Sequence, residues 1–219
     1  ALTLLLAADI AVGERDNARA LGFLKRAVAL DSKDVSFRTR LGEAYLRVGE
    51  TELGIRELET ASAADPASVT ADVVLINQYL SKRQTPKARS VAEALVRRHP
   101  ENPLAHNMLG LVQLAEESQP AARAAFAKAL SLQPTFVSAA RNLAQLDLRE
   151  GQPDAARGRY VAVLAKDPKL EDASVALAEL LVRTGAPDAE VLKVYDAAVA
   201  ANPAAVRSRL EKVAFLTRR

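Results

Sequence analysis

Cysteine and tryptophan are absent from this 219-residue chain, and other aromatic residues are scarce. Without cysteine, the chain cannot form a disulfide, a catalytic thiolate or a cysteine-ligated zinc site. Aromatic residues make up only 4% of the sequence, whereas alanine and leucine supply much of the 49% that is hydrophobic. This composition favours close-packed helices over sheets rich in aromatic and β-branched residues. The sequence therefore predicts an all-α protein.

Residues suited to catalysis or metal binding are equally scarce. The two histidines are His99 and His106, and Pro100 and Pro103 keep their rings from sharing one helix face. No glycine-rich phosphate-binding loop occurs in the sequence. We therefore expect a protein that is not an enzyme and that uses no metal and no cofactor.

Charged residues are abundant but balanced, with 30 basic and 27 acidic side chains and a net charge of +3. They are interspersed along the chain, without the long run of like charge that marks a polyanion-binding tail. The hydrophobic stretch at the start is too short to span a bilayer. We expect no nucleic-acid partner, and membrane contact only through an anchor outside this segment. Because the chain lacks an initiator methionine, we expect it to be an excised segment of a longer protein.

Five prolines set the period of the chain. Successive members of the group are 34 residues apart, except the last, which follows after 35: Pro66, Pro100, Pro134, Pro168 and Pro203. A period of this length is typical of a solenoid of stacked repeats. The predicted repeats cover residues 1–34, 35–68, 69–102, 103–136, 137–170 and 171–205, followed by the first helix of a seventh at 206–219. We expect one continuous domain over residues 1–219.

Small and large hydrophobic residues recur at fixed positions of these repeats. They include Leu41, Gly42 and Tyr45 in the second repeat, and Leu109, Gly110, Ala122 and Phe126 in the fourth. This pattern resembles the signature of the tetratricopeptide repeat (TPR) family. The resemblance implies a right-handed α-solenoid of antiparallel helix pairs, a TPR superhelix, that serves as a scaffold for binding other proteins.

Turn residues agree with the same register. Gly49, Gly151 and Gly185 each occupy position 15 of a repeat, where the first helix ends and a residue with positive φ is favoured. Small residues such as Gly42 and Gly110 are expected to let the two helices of a repeat approach closely. The hydrophobic pattern therefore predicts core packing at these positions, not binding.

In a TPR stack, the first helices line a concave groove, so binding residues are expected at fixed positions of these helices. The polar candidates are Glu43, Arg47, Asn77, Asn107, Arg141, Gln145, Arg149, Glu179 and Arg183. Amide and guanidinium groups can hold the backbone or a carboxylate of an extended peptide. We therefore predict a protein or peptide partner in the groove. A chaperone-tail carboxylate clamp is not expected, because Ala176 and Glu211 replace two of its required residues.

Several stretches resemble a narrower family, the TPR lipoproteins of PEP-CTERM exosortase systems. They include Asn102-Pro103-Leu104-Ala105-His106-Asn107 and Val163-Leu164-Ala165-Lys166-Asp167-Pro168-Lys169. The resemblance implies a bacterial periplasmic, membrane-anchored scaffold in exopolysaccharide production and protein sorting, and it supplies no catalytic residues. Two alternatives stay open: direct binding of a polysaccharide by the solenoid, and a generic cytoplasmic TPR adaptor. Exposed solenoid ends also favour self-association.

Overall fold

The computed structural model describes residues 2–217, which form thirteen α-helices and no strand. The helices are α1 (Leu2–Gly13), α2 (Asn17–Leu30), α3 (Val35–Arg47), α4 (Thr51–Ala64), α5 (Thr70–Ser81), α6 (Thr85–Arg98), α7 (Pro103–Ala115), α8 (Gln119–Leu132), α9 (Val137–Arg149), α10 (Pro153–Lys166), α11 (Glu171–Arg183), α12 (Asp188–Ala201) and α13 (Val206–Thr217). The chain divides into two compact units, unit 1 (Ala1–Pro100) and unit 2 (Glu101–Arg219).

Odd-numbered helices are the first helices of the repeats, and even-numbered helices are the second. Within each unit, every helix packs against its neighbours in sequence. Because short turns join consecutive helices, the two helices of a pair run antiparallel. The prediction of an all-α helical solenoid is confirmed. Within residues 2–217, every helix is too short or too polar to cross a membrane.

Side-chain caps and prolines determine where several helices begin. The Asp34 carboxylate accepts hydrogen bonds from the backbone N–H groups of Ser36 (2.8 Å) and Phe37 (3.1 Å) at the start of α3. The Asn102 side chain accepts one from Leu104 N (2.9 Å) at the start of α7. Pro153 is the first residue of α10, where a missing N–H costs no helical hydrogen bond.

Position 15 adopts a left-handed backbone in six consecutive repeats. Three of these residues are glycines, Gly49 (φ +85°), Gly151 (φ +71°) and Gly185 (φ +74°), as the sequence predicts. The other three are Arg15 (φ +62°), Arg83 (φ +57°) and Glu117 (φ +61°), which adopt the same conformation despite their Cβ atoms. The repeat geometry therefore imposes this turn even where the residue type disfavours it.

Two glycines permit close contact between paired helices. A Cβ added at Gly110 on α7 would lie 2.5 Å from Phe126 Cε1 on α8. In unit 1, a Cβ at Gly42 would lie 2.7 Å from Leu58 Cγ and 3.0 Å from the carbonyl oxygen of Gly54. The two carbon–carbon distances are far below normal contacts, so these positions need glycine.

A buried carboxylate links three helices of unit 1. Asp72, in the first turn of α5, is 1% exposed. Its Oδ1 accepts a hydrogen bond from Ser62 Oγ on α4 (2.5 Å), and its Oδ2 accepts one from Arg98 Nη2 on α6 (2.5 Å). The carboxylate therefore joins the second helix of one repeat to that of the next.

A second buried carboxylate links three helices of unit 2. Asp147, near the end of α9, accepts hydrogen bonds from Arg123 Nη1 on α8 (2.6 Å) and Arg159 Nε on α10 (2.8 Å). Burial alone would raise the pKa of Asp147, but the hydrogen bonds and charges of Arg159 and Arg123 hold it below its ordinary value. Arg123 also donates to Glu150 Oε1 (2.9 Å), which extends the network to the surface.

Candidate partner-binding site

Four of the nine predicted binding residues lie together in unit 2. They line a cleft of about 160 Å³, here called the α9–α11 cleft, whose lining residues are Arg141, Gln145, Tyr160, Ala176, Glu179, Leu180 and Arg183. Arg141 and Gln145 are four residues apart on α9, and Glu179 and Arg183 are four apart on α11, so each pair shares one helix face. The cleft therefore receives one polar pair from each of two successive first helices.

Tyr160 contributes an aromatic ring to the cleft from α10. Its side chain is buried, 5% exposed, and its phenol lies beside Arg141. Burial raises the pKa of Tyr160, although the positive charges of Arg141 and Arg183 oppose this shift. The phenol therefore stays neutral at physiological pH and adds no charge to the cleft.

The charged groups of the α9–α11 cleft are accessible to a partner. Arg141, Glu179 and Arg183 are all exposed, and together they carry a formal charge of +1. Within residues 2–217, neither Glu179 nor Arg183 takes part in an ion pair. A guanidinium group offers two parallel N–H donors that match a carboxylate. The cleft can therefore accept an anionic group beside Arg141 or Arg183, and a hydrogen-bond donor beside Glu179.

Four other predicted residues lie outside the cleft. In unit 1, Glu43 and Arg47 form an ion pair on α3 (Oε2 to Nη2, 3.2 Å), and Asn77 is exposed on α5. In unit 2, Arg149 is exposed at the end of α9, about 12 Å along the helix from Arg141. The structure does not bring these four residues into the α9–α11 cleft.

Asn107 differs from the expectation of an accessible groove residue. It is 3% exposed on α7, and its Oδ1 accepts a hydrogen bond from Asn142 Nδ2 on α9 (2.9 Å). A buried amide needs such a partner, because an unpaired polar group in the interior is costly. Asn107 therefore holds two first helices together and offers almost no surface to a ligand.

The sequence analysis missed the roles of three residues. Tyr160 belongs to the hydrophobic repeat pattern that predicts core packing, and only the three-dimensional structure places its phenol beside Arg141. Asp72 and Asp147 were not singled out, although both lie on apolar stripes of their helices. A carboxylate at a core position of a helical pattern was the available signal, since a buried charge requires partners.

No group of three or more potential metal ligands occurs among the histidine and acidic side chains that the structure describes. His99 Nε2 lies 2.9 Å from the carbonyl oxygen of Pro66. This contact joins two inter-repeat turns of unit 1. It gives His99 a structural role.

Several solved structures have a similar fold. MamA (residue 41 to its end) from Desulfovibrio magneticus RS-1 is 19% identical over 77% of this chain and 95% of that chain, with a TM-score of 0.59. A TPR protein from Parabacteroides merdae is 20% identical over 89% and 77%, with a TM-score of 0.60. YrrB, described as a TPR protein with an unusual peptide-binding site, is 22% identical over 86% and 97%, with a TM-score of 0.50. At these identities, the similarity concerns the fold alone.

Sequence comparison assigns the family. No curated protein matches the chain by sequence. The tetratricopeptide repeat family model matches residues 5–69, 73–135 and 141–206. These three segments cover most of the sequence, in agreement with the helical solenoid. The chain therefore belongs to the tetratricopeptide repeat family, whose members typically bind other proteins.

Proposed function

We propose that this protein is a non-enzymatic scaffold whose α9–α11 cleft binds an extended peptide through one of its acidic side chains. The observation that carries the proposal is the convergence of four polar side chains, two from each of two successive first helices, around one cleft. Two of the four are arginines, whose planar donors suit carboxylate recognition.

Each polar side chain has a distinct task in this proposal. Arg141, beside the Tyr160 phenol, and Arg183 bind the peptide carboxylate from two sides. The Gln145 amide can donate to and accept from the peptide backbone, and so holds an extended segment in register. Glu179 accepts a peptide N–H and disfavours a second acidic residue beside it. The mixed charges therefore select a peptide with one acidic residue over a uniformly acidic one.

The volume of the cleft favours one side chain of a peptide as its ligand over a whole small molecule. Its volume of about 160 Å³ is below the roughly 300–1,000 Å³ typical of small-molecule pockets. One side chain can enter the cleft while the flanking peptide lies across the exposed surfaces of α9 and α11. Affinity then depends on a few charged contacts, so single substitutions should have large effects.

A peptide selection tests this proposal. Random twelve-residue peptides displayed on phage are selected on the immobilised protein, and the enriched peptides are labelled for fluorescence anisotropy. Arg141→Ala and Arg183→Ala should each weaken binding about tenfold or more, since a charged hydrogen bond contributes roughly 1.5–3 kcal/mol. Arg97→Ala, a substitution of an exposed arginine on α6, is the matched control and should leave binding unchanged.

Two results would contradict the proposal. One is an enriched family of peptides without Asp or Glu. The other is a peptide whose affinity for Arg141→Ala and Arg183→Ala equals that for the wild type. Direct polysaccharide binding would show instead as calorimetric binding of a saccharide, although Tyr160, the cleft's aromatic residue, is too buried to stack with a sugar.

We further propose that the full-length protein works in a bacterial envelope system for exopolysaccharide production and protein sorting, as a membrane-anchored periplasmic scaffold. The support is the likeness of stretches such as residues 102–107 and 163–169 to the TPR lipoproteins of PEP-CTERM systems. Cell fractionation of the full-length protein tests the location: we expect it in the membrane fraction facing the periplasm. Recovery from the cytosol would favour a generic cytoplasmic adaptor.

We also propose self-association through the terminal helices. Helix α1 exposes Leu2, Leu6 and Ile10 along one face, and α13 exposes Leu210 and Val213. Exposed aliphatic stripes of this kind favour contacts between copies. Light scattering after gel filtration should show a larger mass for the wild type than for Leu6→Glu. A monomeric wild type at high concentration would rule this contact out.

A further inference from the structure

The second helices of unit 2 form a groove separate from the α9–α11 cleft. Helices α10 and α12 are its walls, α11 is its floor, and its volume is about 660 Å³. We call it the α10–α12 groove; the lining residues that bear on its chemistry are Arg157, Val161, Ser174, Glu190, Lys193 and Ala198. Most of its lining side chains are apolar, and the volume is within the range of ligand-binding sites.

The groove is open because the residue at position 4 of the sixth repeat is small. This residue is Ser174, which is 2% exposed on the floor. In the third repeat, position 4 is Asp72, which spans the space between α4 and α6 by binding Ser62 and Arg98. A serine side chain is too short to span the corresponding space. The same position therefore carries a bridge in the third repeat and leaves a groove in the sixth.

Val161, on the α10 wall, is unusual for its position in the repeat. It is 48% exposed, although a large exposed aliphatic side chain contributes nothing to the core. At the same position of the second helix, the other repeats have Lys25, Glu59, Glu93, Ala127 and Asp196. Four of these five are charged, as expected of a solvated helix surface. Val161 therefore extends the apolar lining of the groove to an accessible surface, where the other repeats mostly have a charge.

Charge at the rim of the groove indicates the chemistry of that partner. Arg157 and Glu190 form an ion pair across the groove (Nη1 to Oε2, 3.0 Å) and so balance each other. Lys193, on the α12 wall, is exposed, and within residues 2–217 it takes part in no ion pair. The groove therefore has an uncompensated positive charge beside an apolar surface, which is complementary to an acidic residue flanking aliphatic ones.

We infer that the α10–α12 groove binds an amphipathic helix of a partner protein, with aliphatic side chains at i, i+4 and i+7 and an acidic residue directed at Lys193. On α12 the groove extends from Glu190 to Ala198, about 12 Å at 1.5 Å per residue, which equals roughly two helical turns. Helix-in-groove recognition uses anchors at this spacing. The α9–α11 cleft and this groove share no lining residue, so this site does not depend on the function proposed above.

A helical peptide library provides the probe. Peptides with a fixed helical framework and randomised residues on one face are displayed on phage and selected on the full chain. We expect enrichment of Leu, Ile or Val at i, i+4 and i+7, with Asp or Glu beside them. The labelled peptide should then bind Val161→Glu about tenfold or more weakly, which corresponds to about 1.4 kcal/mol. Glu59 and Glu93 occupy the same position in other repeats, so Val161→Glu should fold normally.

Matched variants distinguish the groove from other surfaces. Ala127→Glu places the same charge at the same position of the fourth repeat and should leave affinity within about twofold. Lys193→Glu should weaken the acidic peptide but strengthen a peptide with Lys in place of its acidic residue. Arg183→Ala, in the α9–α11 cleft, should have no effect. Unchanged binding to Val161→Glu, no enrichment of helical peptides, or indifference to the charge at Lys193 would each overturn the inference.

Discussion

The two units each bury one aspartate among the described residues, but at opposite ends of a first helix. Unit 1 places Asp72 in the first turn of α5, where it binds one serine and one arginine. Unit 2 places Asp147 in the last turn of α9, where it binds Arg123 and Arg159. In both units, the carboxylate connects two successive second helices.

The difference determines which surfaces remain open. Where the third repeat, in unit 1, has Asp72, the fifth and sixth repeats, in unit 2, have Ala140 and Ser174, which cannot bridge the second helices. Grooves remain there, about 410 Å³ between α8 and α10 and about 660 Å³ between α10 and α12. The groove between α8 and α10 belongs to the repeat that buries Asp147 at the other end of α9, whereas α11, under the larger groove, buries no charged residue at either end.

Removal of the buried carboxylate of unit 2 should have the largest effect. Asp147→Ala should lower the free energy of unfolding by about 3 kcal/mol, the lower end for a broken buried ion pair, because both arginines are partly exposed. Asp72→Ala should lower the free energy of unfolding by less, since one partner of Asp72 is a neutral serine. Urea unfolding followed by circular dichroism measures both, with the exposed Asp154→Ala as control. A loss below about 1 kcal/mol for Asp147→Ala would contradict the bridging role.

Transfer of the unit 1 arrangement into unit 2 should have the next largest effect. Ser174→Asp buries a carboxylate without the two partners that Asp72 has, because Ala201 occupies the place of Arg98 at the end of the second helix and Leu164 the place of Ser62. The expected loss is about 2 kcal/mol of unfolding free energy. The double substitution Ser174→Asp with Ala201→Arg should recover part of it. If the double variant is no more stable than Ser174→Asp alone, then position 4 of the sixth repeat is not structurally equivalent to position 4 of the third repeat.

Substitutions at position 15 should change the free energy of unfolding by about 1 kcal/mol. Glu117→Gly in unit 2 and Arg83→Gly in unit 1 should both stabilise the protein, because glycine adopts the positive φ of 61° and 57° without strain. Part of the gain is lost to the greater flexibility of glycine in the unfolded chain. Gly151→Ala is the reverse substitution and should destabilise. The midpoints of thermal unfolding of the three variants are compared with that of the wild type. A midpoint below that of the wild type for both glycine variants would contradict the predicted stabilisation.

Lowering the pH should have a smaller effect, which is a change in the difference in unfolding free energy between wild type and Asp147→Asn. The pKa of Asp147 is lowered in the folded protein, so its contribution is fully present above the unfolded pKa of about 3.9 and is lost as the pH falls through the folded value. The stability gap between the two proteins should therefore be constant from about pH 7 to pH 5 and narrow at lower pH. A gap that stays constant under acid would mean that Asp147 keeps its ordinary pKa.

The fold was predictable because its signals are periodic. Prolines 34 residues apart, small residues at close contacts and glycines at position 15 all indicate a helical solenoid, which is confirmed. Helical periodicity also indicates which positions of a first helix face away from the core. This is why Arg141, Gln145, Glu179 and Arg183 could be selected together. Their use in binding remains a prediction.

The remaining features depend on contacts between different repeats. Asn107 could not be distinguished from an exposed amide, because its burial depends on Asn142, 35 residues later. Asp147 resembles a solvated charge until Arg123 and Arg159 are placed beside it. The α10–α12 groove arises from a small residue, Ser174. Its effect can be predicted only when the residues of α10 and α12 around it are known. One sequence contains no direct signal for such pairings.

Titration of a peptide selected on the α9–α11 cleft tests the central claim most directly. Fluorescence anisotropy would compare the wild type with Arg183→Ala in the cleft and Val161→Glu in the α10–α12 groove. The account predicts about tenfold weaker binding or more to Arg183→Ala and an affinity within about twofold of wild type for Val161→Glu. Equal affinity of the peptide for Arg183→Ala and the wild type would contradict it.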